Sequence, residues 1–297
     1  MVLFFGLSFL CYTNPMSRRL PFLLLITAKG IIIVFAIIGF ILVAGYVAVT
    51  LGLTNTQGII DTQTKNFIAK DTTEEKYTVF PLAHTPEWVA FRQAVAKDLP
   101  TITRVSKETG VSPRILIALL VPEQMRLFHS NRAIFKQFFE PLKMLGSQSQ
   151  FSWGIFGIKD DTARVVESNL TNKNSPFYLG KAFENALSFT NLAEADQERF
   201  SRITNDDDRT YAYRYAALYV AQTQSAWRKA GYPIEGKPDI IATLWNLGFE
   251  KSKPHKNPAS GGSSIEINGT EYSFGELAKL FYYSDEMIEL FPIETSK

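Results

Sequence analysis

An uncharged run of 23 residues, 31–53, constrains the fold more than any other feature of the sequence. A helix that crosses the hydrocarbon core of a bilayer needs about 20 predominantly apolar residues. A buried core helix would keep a polar stripe, whereas this run is apolar on every face. A signal peptide is the closer alternative, but its apolar region is shorter, about 7–15 residues, and no small-residue cleavage site directly follows the run. The sequence therefore predicts a single N-terminal transmembrane helix, retained as an anchor.

The charges that flank this run predict its orientation. Arg18, Arg19 and Lys29 precede it, and the first charged residue after it is Asp61. Because basic residues stay on the cytoplasmic side, the N-terminus should face the cytoplasm. The larger part of the chain should then lie outside the inner (cytoplasmic) membrane. Either Met16 is the true start or residues 1–15 form an interfacial piece; both alternatives stay open.

The charge distribution also bears on domain organisation and partners. Residues 1–53 contain three of the 31 basic residues and none of the 29 acidic ones, so the remainder is close to neutral. A near-neutral domain offers no general field for nucleic acid, and we expect no nucleic-acid partner. We predict a cytoplasmic N-terminus and anchor at 1–53, a polar linker at 54–75 and one folded domain at 76–297.

The cysteine and histidine content argues against a metal site. Cys11 is the only cysteine, and the three histidines, His84, His129 and His255, lack ligand spacing. We therefore expect neither a disulfide framework nor a metal site.

Start signals for helices recur along residues 76–297. Thr85-Pro86 and Ser112-Pro113 each place a capping side chain before a proline, which favours the first helical position. Asn268-Gly269 between alternating apolar residues predicts a short hairpin. The fold class is therefore mainly α with a small β-hairpin. We predict helices from residue 86 and from residue 113, and others near 133–145, 160–170, 180–193, 209–230, 238–247 and 274–291.

Glu123 stands out because it lies on the apolar face of the second of these helices. Leu116, Leu119 and Leu120 precede it by seven, four and three residues, so its side chain leaves the helix on the same face. Burial disfavours the ionised form of a carboxyl group and raises its pKa, which suits a general acid. Pro122 cannot donate a backbone hydrogen bond, so we expect it to weaken or end the helix beside Glu123.

Three short segments occur in a fixed order: ALLVPEQMR ending near residue 126, SWGIFGIKDDTA at 152–163 and IATLWNLG at 241–248. Together they resemble the lysozyme-like lytic transglycosylases of the soluble lytic transglycosylase type, over roughly residues 100 to 250. That family has a catalytic glutamate at the end of a buried helix. A Gly-x-x-Gln-[Ile/Val]-x-x-x-Thr-Ala segment and an Ala-x-Tyr-Asn-x-Gly segment follow. The resemblance implies a lysozyme-like helical domain.

The resemblance also implies roles for individual residues. Glu123 matches the catalytic acid, and the matching residues of the other two segments are candidates for substrate binding: Ser152, Trp153, Gly154, Ile155, Trp245 and Asn246. In the third segment Trp245 replaces the usual tyrosine and Thr243 the usual alanine, and two other departures matter more. Gln124 replaces a serine, and Gly157 replaces the glutamine of the second segment; both normally help to orient the sugar or the acid. These departures leave room for an inactive descendant.

Plainer structural roles compete with each of these assignments. Glu123 could be a helix-end carboxylate paired with Arg126 or Arg114. Trp153 and Trp245 could be core residues. Asp206, Asp207 and Asp208 could suggest calcium, but a solvated loop ending in a helix cap explains them better.

The function that the resemblance implies is cleavage of peptidoglycan by a single glutamate. Glu123 would protonate the glycosidic oxygen between N-acetylmuramic acid and N-acetylglucosamine, then act as base while the muramoyl 6-hydroxyl closes a 1,6-anhydro ring. No water, metal or cofactor is consumed. Two alternatives remain. One is a non-catalytic module that binds glycan or scaffolds envelope partners. The other is a hydrolytic muramidase, which would need a second carboxylate near the cleft; Asp160 and Asp161 instead suit a helix start.

Overall fold

The computed structural model describes residues 80–129, 152–248 and 253–294, together with residues 35, 36, 39, 40 and 43. The chain divides into two compact units, Met1–Gln57 and Gly58–Lys297. The second unit contains the candidate site. The predicted boundary at residue 53, the linker 54–75 and the helix predicted near 133–145 lie outside the described residues.

The described part of the second unit is mainly helical, as predicted. Its α-helices are α1 (Pro86–Lys97), α2 (Leu99–Thr109), α3 (Pro113–His129), α4 (Asp160–Thr171), α5 (Ala195–Thr204), α6 (Thr210–Lys229), α7 (Pro238–Leu247) and α8 (Phe274–Tyr283). Two 3-10 helices span Lys181–Phe183 and Leu192–Glu194. Four short strands are β1 (Ser152–Trp153), β2 (Ile158–Lys159), β3 (Ser264–Ile267) and β4 (Thr270–Ser273).

Helix starts follow the predicted signals. The Thr85 side chain accepts a hydrogen bond from the backbone N–H of Trp88 at 3.2 Å, and Pro86 begins α1. Pro113 begins α3, and Pro238 begins α7, whose bounds are those predicted. Proline is well placed there because the first helical N–H has no partner inside the helix.

The strands form two antiparallel pairs, β1 with β2 and β3 with β4. Asn268 and Gly269 connect β3 to β4 with φ angles of 51° and 80°. Positive φ at both central residues is what a two-residue hairpin of the favoured twist requires. The predicted hairpin at this site is therefore confirmed. β1 and β2 are joined by the turn 154–157, which leads directly into α4.

One continuous apolar core unites these elements. Helix α8 packs against α7 and α3, and α2 packs against α6. The largest fully buried side chains include Trp88, Trp153, Trp227 and Tyr213. Leu116, Leu119 and Leu120, on the predicted apolar face of α3, are buried, and so are Ile115, Ile117 and Val121 on its other faces.

Arg114 ties the start of α3 to the C-terminal segment. Its guanidinium is fully buried and donates to the backbone carbonyls of Phe281, Tyr282, Ser284, Glu286 and Phe291, at 2.6–3.2 Å. Burial lowers the pKa of Arg114, while the nearby Tyr282, Asp285 and Glu289 act in the opposite direction. The last carbonyls of a helix lack partners within it, so a distant cation stabilises this helix end.

Several predicted helices are corrected by the structure. Residues 180–193 contain only the two short 3-10 helices, in place of one α-helix. The C-terminal helix ends at Tyr283 rather than 291, where Arg114 binds the terminal carbonyls. The chain after Lys97 starts a separate helix, α2, and α5 was not predicted at all. Pro122 does not end α3, which continues to His129.

In the described part of the chain, no helix combines the length and the apolar character that a membrane span requires. Most of the predicted anchor, 31–53, lies outside that part, and the five described positions within it are helical. The anchor therefore stays a prediction.

Candidate active site

Glu123 lies in the second half of α3 with its side chain 3% exposed. The residues one and two turns before it are leucines of the core, so the helix carries the carboxyl group into apolar surroundings. A buried carboxyl group is stable only where charged or hydrogen-bonding partners surround it. The partners of Glu123 therefore decide what it can do.

Arg126 is one of these partners. Its Nη2 lies 2.5 Å from Oε1 of Glu123, one helical turn away on α3. The ion pair that competes with the catalytic interpretation is thus present in its Arg126 form. Among the described contacts, Arg114 does not pair with Glu123, because Arg114 binds carbonyls of the C-terminal segment. The Arg126 side chain is 23% exposed, so solvent reaches the pair from that side.

The turn 154–157 lies directly against the Glu123 carboxyl group. A Cβ atom built on Gly157 would lie 2.1 Å from Oε1 and 2.8 Å from Cδ of Glu123. Gly157 also has a φ of +59°, a conformation that side chains disfavour. The glutamine of the family pattern could not occupy this position without moving the turn. Gly157 is therefore required by the close approach of backbone to carboxyl group.

Gln124 attaches the same turn to α3. Its Nε2 donates a hydrogen bond to the carbonyl oxygen of Ile155. Gly154, at the other end of the turn, faces α5, where a Cβ atom would lie 2.2 Å from the Ile203 carbonyl oxygen. Gln124 and Gly157, the two more important departures from the family pattern, thus both lie at the interface between α3 and the turn.

Phe156 connects the turn to the third segment. It is fully buried, and its ring lies edge-on to Tyr213 at 5.3 Å and to Trp245 at 5.9 Å between centroids. Trp245, near the end of α7, is half-buried and also packs edge-on against Tyr219 at 4.7 Å. All three sequence segments therefore meet around the turn, although about 120 residues separate the first from the last.

Asn246 has a structural partner of its own. Its Oδ1 accepts a hydrogen bond from the backbone N–H of Ser263 at 2.8 Å. Thr243, one turn earlier on α7, holds the same loop by accepting from the N–H of Gly261 at 2.9 Å. The polar residue inside an apolar helix end thus has the partner that its burial requires.

Ser152 and Trp153 form β1, and their side chains lie in different surroundings. Ser152 is half-buried and pairs with Lys159 across the strand pair. Trp153 is only 1% exposed and packs edge-on against Phe200 at 5.2 Å. In this arrangement Trp153 is a core residue, which is the plainer of its two predicted roles. Gly154, Ile155 and Trp245 are half-buried.

A second cluster of charged residues adjoins the strand pair. Arg199 on α5 binds both carboxylate oxygens of Glu167 at 2.7 Å, and it also contacts Asp160 at 3.3 Å and Asp196 at 2.9 Å. Burial opposes the charge on Arg199, but these carboxylates raise its pKa above the usual value. Asp160, the first residue of α4, is therefore committed to ion pairs, as is expected of a structural residue.

Metal binding finds no support in the described residues, which contain no group of three or more histidine, cysteine or acidic side chains suited to an ion. In the loop that precedes α6, Asp208 accepts from the N–H and hydroxyl of Thr210 at 3.0 and 2.6 Å, and Asn205 accepts from the N–H groups of Asp207 and Asp208. Asp208 thus binds the first residue of α6, but the N-cap position that the sequence predicted for Asp208 is occupied by Arg209.

The sequence did not indicate the roles of Gly157, Phe156 and Gln124 as contact residues. A positive φ at Gly157 could have been suspected, because two glycines in four residues mark a tight turn. Phe156 carried no signal that separates it from other core aromatics. Comparisons with protein-family models, with curated proteins and with solved structures gave no match for this chain.

Proposed function

We propose that the chain is a membrane-anchored lytic transglycosylase that cleaves the glycosidic bond between N-acetylmuramic acid and N-acetylglucosamine in peptidoglycan. The observation that carries the proposal is the contact between the buried Glu123 carboxyl group and Gly157 of the second segment. The packing of Phe156 on Trp245 adds the third segment. A chance similarity of three short segments would not require them to meet in space.

In the proposed reaction Glu123 acts twice. It first gives its proton to the glycosidic oxygen as the bond to C1 of the muramoyl residue breaks. It then takes the proton of the muramoyl 6-hydroxyl as that oxygen bonds to C1, which restores the protonated acid. One carboxyl group can serve in both roles because giving up its proton in the first step leaves the carboxylate that accepts a proton in the second.

A non-catalytic glycan-binding module is the second candidate. It is favoured by the ion pair between Glu123 and Arg126, since a nearby positive charge favours the ionised carboxylate rather than the acid. A hydrolytic muramidase has less support. Asp160 is engaged by Arg164 and Arg199, and Asp161 is exposed on the first turn of α4.

The test is Glu123→Gln in the full-length protein, assayed on purified peptidoglycan with analysis of the released ends. The amide keeps size and hydrogen bonding but cannot supply the proton, so release of 1,6-anhydro ends should fall by about 10²–10⁴-fold. The free energy of unfolding should change by about 1 kcal/mol or less, because the amide oxygen can still accept from the partly exposed Arg126.

Glu167→Gln is the matched control, since it makes the same change in the buried cluster around Arg199. It should lower stability while the folded protein keeps its activity. A Glu123→Gln variant that still releases anhydro ends at the wild-type rate would refute the catalytic role. A wild-type protein that binds peptidoglycan without cleaving it would establish the non-catalytic module instead, and reducing ends alone would indicate a muramidase.

The anchor is part of the same proposal and rests on the uncharged run 31–53. A tag placed after Lys297 should be accessible from outside the cytoplasmic membrane, and the protein should remain with membranes after a carbonate wash. Recovery as a soluble protein trimmed near residue 53 would show that the run is a cleaved signal peptide.

A further inference from the structure

The turn 154–157 closes one side of the Glu123 carboxyl group. The gap between Gly157 and Oε1 is too small for a methyl group, since a Cβ atom would lie 2.1 Å from that oxygen. A water molecule is about as large as a methyl group, so water cannot approach Oε1 from the side of the turn. The carboxyl group is therefore shielded there by backbone rather than by a side chain.

Three attachments hold the turn in this position. Phe156 is buried between Tyr213 and Trp245, and Gly154 packs against the backbone of α5. The third attachment is the hydrogen bond from Gln124 to the Ile155 carbonyl. It comes from the residue next to Glu123, so it sets the distance between the turn and the carboxyl group more directly than the other two.

We propose that Gln124 is a positioning residue that holds the turn against Glu123 and so favours ring closure over hydrolysis. This inference rests on the proposed function. After the bond between C1 and the leaving oxygen breaks, C1 bonds either to the muramoyl 6-hydroxyl oxygen or to a water oxygen. In both cases Glu123 takes the displaced proton. The first route gives a 1,6-anhydro end and the second a reducing end, so the ratio of ends measures how well water is excluded.

Gln124→Met tests the proposal because it keeps the length of the side chain and removes the N–H donor. Gln124→Ser is a second variant, with a hydroxyl too short to reach Ile155. In both variants the ratio of reducing to anhydro ends should rise by about two- to tenfold, the range that corresponds to one ordinary hydrogen bond. KM should stay close to the wild-type value, because the hydrogen bond joins two parts of the protein.

Gln222→Met is the matched control. Gln222 is buried and donates to the Val166 carbonyl at 2.9 Å, so its loss should lower stability without changing the ratio of ends. An unchanged ratio in both Gln124 variants, measured below their melting temperatures, would overturn the proposal, and so would an equal rise in Gln222→Met. These results differ from failure of the proposed function, in which wild-type protein releases no anhydro ends or Glu123→Gln keeps wild-type activity.

Discussion

Two clusters of carboxylates and arginines adjoin the strand pair β1–β2, and they are built differently. In the cluster around Arg199, the guanidinium contacts three carboxylates, and the Tyr215 hydroxyl adds a hydrogen bond to Glu167 at 2.5 Å. In the pair of Glu123 and Arg126, one guanidinium nitrogen contacts one carboxylate oxygen at 2.5 Å. Nε of Arg126 is buried without a hydrogen-bond partner among the described residues.

The difference separates a structural network from a candidate site. Buried charged groups stabilise a fold when their hydrogen-bonding capacity is filled, as it is for Arg199. A buried donor left without a partner is costly, so the incomplete pair of Arg126 should contribute less to stability than the Arg199 cluster. Substitutions in the Arg199 cluster should therefore mainly lower stability, whereas substitution of Glu123 should mainly lower activity.

The largest effect on stability should come from Arg199→Met. The side chain is 4% exposed, and its removal leaves the Asp160 and Glu167 carboxylates, which are 9% and 15% exposed, without the partner that they share. The free energy of unfolding should fall by about 3–5 kcal/mol, as is usual when one partner of a buried pair is removed. Urea unfolding measures this loss of unfolding free energy. Arg164→Met, at a 45% exposed side chain of the same cluster, is the control and should cost about 1 kcal/mol or less. Equal losses of unfolding free energy in Arg199→Met and Arg164→Met would show that burial of the arginine does not determine the effect.

Arg126→Met should have a smaller effect on stability. The pair with Glu123 is open to solvent on the arginine side, and the variant also removes the buried Nε that lacks a partner. Glu123 is 3% exposed and loses this partner, so we expect the free energy of unfolding to fall by about 1–3 kcal/mol. Thermal and urea unfolding of Arg126→Met beside Arg199→Met make the comparison direct. A loss as large as that of Arg199→Met would place Arg126 and Glu123 in the structural class.

Local signals predicted much of the fold. The start of α1 follows from Thr85-Pro86, that of α7 from Pro238, and the hairpin from Asn268-Gly269. Each signal acts through its own neighbours in the chain. The apolar face of α3 was predictable for the same reason, because helical spacing of leucines does not depend on distant residues.

The errors trace to distant contacts or to competing local bonds. Helix α8 ends at Tyr283, where Arg114, far away in sequence, binds the carbonyls of Tyr282 in its last turn and of Ser284 just beyond it. Within 180–193 the Asn191 side chain accepts from the N–H of Ala193, and such bonds compete with helix formation. The close approach of Gly157 to Glu123 also joins two distant segments. Sequence alone therefore marked Gly157 as a departure from a pattern without giving its cause.

The smallest predicted effect concerns Asp196, at the exposed edge of the Arg199 cluster. Hydrogen bonds from Arg164 and then from Arg199 lower the pKa of Asp196 below its usual value. Its side chain is 62% exposed, so solvent screens these contacts, and they should contribute about 0.2–1 kcal/mol. A group whose pKa is lowered by folding stabilises the protein above its unfolded pKa, near 4, and this stabilisation is lost as the pH falls through the folded value.

The difference in unfolding free energy between wild type and Asp196→Asn should therefore be full at pH 7, shrink as the pH falls below about 4 and vanish once the pH lies below the folded pKa. Taking the difference at each pH cancels the titration of carboxylates that the two proteins share. Salt at about 1 M should reduce the difference at pH 7, since exposed pairs are screened. A difference that stays constant down to low pH would mean that Asp196 acts through packing rather than charge. The stability of the Arg199 cluster would then owe less to its ion pairs than the comparison with Glu123 and Arg126 assumes.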